Sequence, residues 1–113
     1  MRKTLDFNSI EKPTLELRMK DEARTKITVC TPTQALIEEL EANYSSIKEA
    51  ANGTEESIAI MFTLMAKLIN CNLEGIKVTA EELRDKYDME FIDALLFFSA
   101  YMEFIDDIKT AKN

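Results

Sequence analysis

The stretch FIDALLFFSAYMEFIDDI, from Phe91 to Ile108, limits what this chain can fold into more than any other. Plotted at about 100° per residue, Phe91, Ala94, Leu95, Phe98, Met102 and Ile105 fall on one stripe, the core face of an amphipathic helix. Phe97, Tyr101, Phe104 and Ile108 continue that stripe on one side, so the apolar arc covers about half the helix instead of the usual third. Ile92 and Leu96 stand even on the otherwise polar side. Such a helix needs cover from more than one direction. Either the chain's own helices supply all of it, or a partner or a second copy supplies part. The candidate partner-binding residues are therefore Phe97, Tyr101, Phe104, Ile108, Ile92 and Leu96. On this reading a charge at Phe97 or Phe104 weakens association and spares the fold, whereas a charge at Phe98 or Leu95 unfolds the chain.

The segments before this helix supply a hairpin and further helices. Residues 1–13 mix charges with isolated Leu5, Phe7 and Ile10 and end at Pro13, a pattern that reads as an extended arm. Residues 14–30 read as a β-hairpin: Leu15, Leu17 and Met19 alternate with Glu16, Arg18 and Lys20, and Ile27 and Val29 repeat the alternation. The intervening KDEAR lacks Gly and Asn, so a loop longer than two residues is expected. Residues 31–110 read as helical. Thr31, Pro32 and Gln34 announce the first helix as N-cap, first helical residue and capping-box partner, and Leu36, Ile37, Leu40, Tyr44, Ile47 and Ala51 form its stripe up to a stop at Asn52-Gly53. Thr54 caps a second helix with Ile58, Met61, Phe62, Leu64, Met65, Leu68 and Ile69 inward, expected to be the most buried after the last. Thr79 and Glu82 form a capping box for a short third helix carrying Leu83 and Tyr87, and Asp88 is placed to cap the fourth, with Glu90 in its first turn. The expected fold class is α+β, mostly α-helical: an N-terminal hairpin followed by about four helices in a single domain, residues 1–113.

Composition narrows the function classes. A chain of 113 residues, 46% hydrophobic and 31% charged, is long enough for one core and too short for two. Six Met and six Phe, with no Trp, give it adaptable packing groups. The net charge of -7 is uneven: residues 79–108 hold 9 acidic and 2 basic side chains, a field that repels nucleic-acid phosphates. With no His, only Gly53 and Gly75, and no Ser in a nucleophile-elbow setting, the chain lacks a neutral-pH general base, a phosphate cradle and an activated nucleophile. It reads as a non-enzyme without cofactors. Glu103, Asp106 and Asp107 share one helix face at a spacing that suits a hard cation, but solvated outer faces use the same pattern far more often. Cys30 and Cys71 lie 41 positions apart without CxxC spacing and read as reduced thiols. Arg84 and Lys86 read as charge partners of Glu82 and Asp88. The start lacks an apolar signal core and no stretch reaches membrane-span length, so the expected place is the cytoplasm and not a membrane.

Three segments together carry a resemblance. LDF at Leu5 to Phe7, KPTLEL at Lys12 to Leu17 and VCTPTQALIEEL at Val29 to Leu40, followed by VTAEEL before an aromatic final helix, are similar to the small tail assembly chaperones of long-tailed bacteriophages and prophages. The resemblance covers most of the chain in architecture. It implies a non-enzymatic protein of the bacterial host cytoplasm that coats the long, apolar, helical tape measure protein and keeps it soluble until tail tube protein polymerises around it, with a homo-oligomer as the expected state. No family motif marks functional residues to carry over. The other reading of the same residues is a structural or regulatory interaction protein, such as a phage connector subunit or a small oligomeric partner, with no chaperone role.

The resemblance also implies a gene-level device. In that family a fraction of translation shifts frame near the end of the gene and yields a longer product that recruits the tail tube protein. Ala111, Lys112 and Asn113 can be encoded across a run of like bases on which ribosomes step back by one. Reading the gene is expected to show that run at codons 111–113 with an overlapping open frame behind it; other Ala, Lys and Asn codons there and no overlapping frame would contradict this.

Overall fold

The computed structural model describes residues 3–4, 13–49 and 54–110. The arm expected over residues 1–13 lies mostly outside the described residues, as do Asn52-Gly53 and Ala111 to Asn113. What is described begins with an antiparallel hairpin, β1 (Leu15–Arg18) and β2 (Lys26–Val29), in the register Leu15↔Val29 and Leu17↔Ile27. The alternation therefore turns as expected: Ile27 and Val29 are fully buried, and Leu15 and Leu17 are half-buried on the same face. The Met19 N–H donates to the Thr25 carbonyl at 2.9 Å and leaves KDEAR as the loop. Asp21 closes that loop, its carbonyl accepting the Arg24 N–H at 3.0 Å and its carboxylate accepting the Thr25 N–H at 2.8 Å.

The helical part holds five segments among the described residues: α1 (Gln34–Ala42), α2 (Tyr44–Glu49), α3 (Glu55–Ile69), α4 (Ala80–Asp85) and α5 (Phe91–Thr110). The first expected helix is thus broken at Asn43, which leaves helical geometry at φ -105°, ψ 6° while its side-chain amide donates to the Glu39 carbonyl at 2.8 Å. An asparagine that satisfies a carbonyl of the last turn with its own side chain ends a helix where a better helix former would continue it. The start of α1 also differs. Thr33, not Thr31, is the N-cap and accepts the Leu36 N–H at 3.2 Å. The chain stays extended through Thr31 and Pro32 because the Cys30 N–H donates to the Cys71 carbonyl at 2.8 Å, which prolongs β2 past Val29. Thr54 caps α3, and Thr79 with Glu82 forms the full capping box of α4, as expected.

The last helix begins differently from expectation. Asp88 does not cap it; it sits at φ +52° in the turn after α4, where aspartate is one of the few tolerated residues. The reciprocal half of a capping box comes from Asp93, whose carboxylate accepts the Glu90 N–H at 2.8 Å and also pairs with Lys20 of the hairpin loop at 2.9 Å. The Glu90 N–H and then Lys20 hold the Asp93 carboxyl below its ordinary value. Its contribution is therefore present at neutral pH and lost as pH falls through the carboxylate range. Arg84 and Lys86 likewise depart from expectation: Glu82 is committed to its cap, and the two cations lie 5.3 Å from the ring centroids of Phe62 and Tyr87.

Between α3 and α4 the chain has no regular structure, yet its backbone is hydrogen-bonded. The Asn70 side chain donates to the Val78 carbonyl at 2.9 Å and accepts the Val78 N–H at 2.7 Å. Asn72 donates to the carbonyls of Ile69 and Ile76 at 2.7 and 2.8 Å and accepts the Ile76 N–H at 2.9 Å. Two side-chain amides thus stand in for a strand partner. The same segment lines the outer edge of β2: the Leu73 N–H donates to the Thr28 carbonyl at 3.0 Å, and Glu74 accepts the Thr28 N–H at 2.8 Å. These bonds from Thr28 hold the Glu74 carboxyl below its ordinary value. Substituting Asn72→Ala strands three part-buried backbone groups at once. Chemical denaturation of that variant is expected to show a loss of about 2–3 kcal/mol, and a loss under about 0.5 kcal/mol would mean the segment is held by packing alone.

Candidate partner-binding face

The core is built around α3. Its Met61, Leu64, Met65, Leu68 and Ile69 are almost wholly buried, and β2 and each of the other helices packs against it. It is α3, more than α5, that is the central element, with the stripe of Glu56, Ala59, Thr63 and Lys67 left exposed. α5 lays one face on it, and that face is rotated by roughly 70° from the stripe expected on the wheel, toward the aromatic side. Phe97, Tyr101 and Phe104 are 6%, 0% and 5% exposed, covered by this chain itself, and Ile108 is half-buried against the same core. The expectation that these aromatics form an open flank is therefore corrected. With Phe98 they form a row of ring contacts along the helix, edge-on at 5.2 Å between the centroids of Phe97 and Phe98, tilted at 5.5 Å for Phe97 and Tyr101, and edge-on at 5.7 Å for Tyr101 and Phe104.

What the rotation uncovers is the other side. Ile92 and Leu96, one turn apart, are 56% and 62% exposed and form a ridge along the outward face of α5. A groove runs along each side of it. The larger, about 390 Å³, lies between α2 and α5 and is lined by Tyr44, Ile47, Leu95, Phe98, Met102, Ser99, Glu103 and Asp106. The smaller, about 220 Å³, lies between the hairpin and α5, with Leu17, Met19, Leu96, Phe97 and Ala100 in its lining and Arg18, Lys20 and Asp93 at its edge. Leu95 and Met102, read from the sequence as core, are thus half-buried groove wall. Tyr44 and Ile47 were legible only as the inner stripe of a longer helix. The signal that marks them is Asn43, the residue that breaks that helix and sets α2 as a separate wall.

Among the described residues no group of three or more His, Cys, Asp or Glu is placed to hold a metal ion, and Glu103, Asp106 and Asp107 point along an exposed helix side. Cys30 and Cys71 are half-buried, and the Cys71 thiol points at the Thr31 carbonyl at 3.7 Å. No described helix is long and apolar enough to cross a membrane. Comparison with protein-family models, with curated proteins and with solved structures finds no match to this chain.

One polar atom in the core is unsatisfied. The Tyr101 hydroxyl is buried with no hydrogen-bond partner among the described residues, and burial followed by the neighbouring Cys71 raises its pKa well above the ordinary phenol value. A buried hydroxyl without a partner costs about 1–3 kcal/mol. Tyr101→Phe is therefore expected to raise stability by about 1 kcal/mol. By contrast Phe104→Asp unfolds the chain and Leu96→Asp leaves it folded. Thermal melts of the three variants check this, and a destabilised Tyr101→Phe or an unfolded Leu96→Asp would contradict it.

Proposed function

We propose that this chain is a binding module of the phage tail assembly chaperone type, which covers apolar helical segments of a tape measure protein and keeps them soluble before tail tube protein assembles around them. The observation that carries the reading is the outward face of α5: an exposed apolar ridge, Ile92 and Leu96, between two apolar-lined grooves, on a helix whose Phe97, Phe98, Tyr101 and Phe104 are consumed in the core. Exposed apolar side chains contiguous with grooves mark surfaces that another chain covers. Helix-in-groove binding needs such a surface and no chemistry beyond it. The half-buried Met102 and Met89 in those grooves suit a client whose side chains vary along its length. The same reading places the protein in the bacterial host cytoplasm and gives it no catalytic role.

The alternative, a structural subunit or small oligomeric partner, draws on a different feature. Among the described residues no strand pairs with the outer edge of β1, and an open edge is a place for a second copy to add its own strand. Co-expression with a tape measure protein separates the two. On the chaperone reading the long apolar client stays in the soluble fraction with the chain and not without it, and the double variant Ile92→Asp/Leu96→Asp, folded by circular dichroism, binds it at least about tenfold more weakly. A client that aggregates equally with and without the chain would refute the chaperone reading. A permanent oligomer that uses the β1 edge would then favour the structural one.

A further inference from the structure

The groove between α2 and α5 has a chemistry of its own. Its floor and walls are apolar, with Leu95, Phe98 and Met102 at helical spacing on α5 opposite Tyr44 and Ile47 on α2. Its rim on α5 is Ser99, Glu103 and Asp106, spaced i, i+4, i+7 and hence in one line beside the apolar floor. The charged residues lining this groove, among the described residues, are both carboxylates, and neither is in an ion pair there. Over residues 79–108 carboxylates outnumber cations nine to two.

We propose that this groove docks an apolar helical segment flanked by Lys or Arg, with the apolar face on Leu95, Phe98 and Met102 and the cations along Glu103 and Asp106. The inference rests on the binding-module reading above and adds the chemistry of the client. The occupant is a helix because both walls are helices, whose backbone groups are bonded internally and offer no ladder to an extended peptide; a helix brings its own backbone already satisfied. It is basic because an acidic flank would be driven against two carboxylates at a partly desolvated rim, a penalty that discriminates as strongly as the attraction does.

Two labelled synthetic amphipathic helices with the same apolar face, one with Lys/Arg flanks and one with Glu flanks, test this by fluorescence anisotropy against the full chain. The basic helix is expected to bind on the order of tenfold more tightly at low ionic strength, with the difference shrinking toward 1 M salt. Glu103→Lys/Asp106→Lys, at exposed positions, is expected to reverse the preference, and Met102→Glu to weaken both helices together. Equal binding of the two helices, or a preference that survives the double charge reversal, overturns the inference and leaves the binding-module reading standing. Binding of neither helix overturns both. If sedimentation shows a dimer that Met102→Glu converts to monomer, the groove's occupant is a second copy and the inference is overturned in favour of self-association.

Discussion

Burial of α3 is the constraint on which the rest of the structure depends. Met61, Leu64, Met65, Leu68 and Ile69 are almost wholly removed from solvent, and at about 1.5–3 kcal/mol for each large apolar side chain they outweigh every polar interaction in the chain. The three ion pairs among the described residues, Arg18 with Glu16, Lys20 with Asp93 and Lys67 with Glu39, all keep solvent contact and are screened by it. Five neighbours share the buried side of α3, and α5 gives one face to it. The side bearing Ile92 and Leu96 is left outward as a consequence, so the exposed ridge follows from the geometry of the core.

The polar interactions do a different job: they fix how the layers join. Asp93 ties the start of α5 to the hairpin loop by accepting from both the Glu90 N–H and Lys20. Glu74 and the Cys71 carbonyl hold the outer edge of β2, and Asn70 and Asn72 satisfy the irregular segment that brings them there. A two-stranded hairpin is marginal alone, and here one of its edges is occupied by this segment while its apolar face lies on the core. None of these ties is strong, but without them the hairpin has no fixed place beside α5, and the smaller groove has no second wall.

Much of this was legible in the sequence because local rules carried it. The period-2 alternation placed Ile27 and Val29 inward, the KDEAR loop had no two-residue turn signal, and Thr54 and the Thr79–Glu82 box start helices where the capping rules put them. What was not legible depended on tertiary contacts. A helical wheel shows that the apolar arc of α5 is wide but not which part of it meets α3, so Phe97, Tyr101 and Phe104, which the packing buries, were placed on the partner side, and Leu95 and Met102, which it leaves half-buried at the edge of the core, were placed inside. Thr31 was read as the cap of α1, and the structure moves that cap to Thr33, with Cys30 still bonded to the Cys71 carbonyl beside β2. Asp88 was read as the cap of the last helix, and its left-handed backbone removes it from that role.

The central claim is that the aromatic side of α5 is closed core while the side bearing Leu95, Leu96 and Met102 is open to a client helix. The six methionines make it measurable, since their methyl groups report by NMR on contact with a soluble paramagnetic probe. In the isolated chain the account predicts strong broadening of the Met102 methyl and none at Met61 or Met65, and protection of Met102 once an apolar helical client is added. A Met102 methyl as shielded as that of Met61 before any client is present, or one that stays accessible after the client has bound, would contradict it.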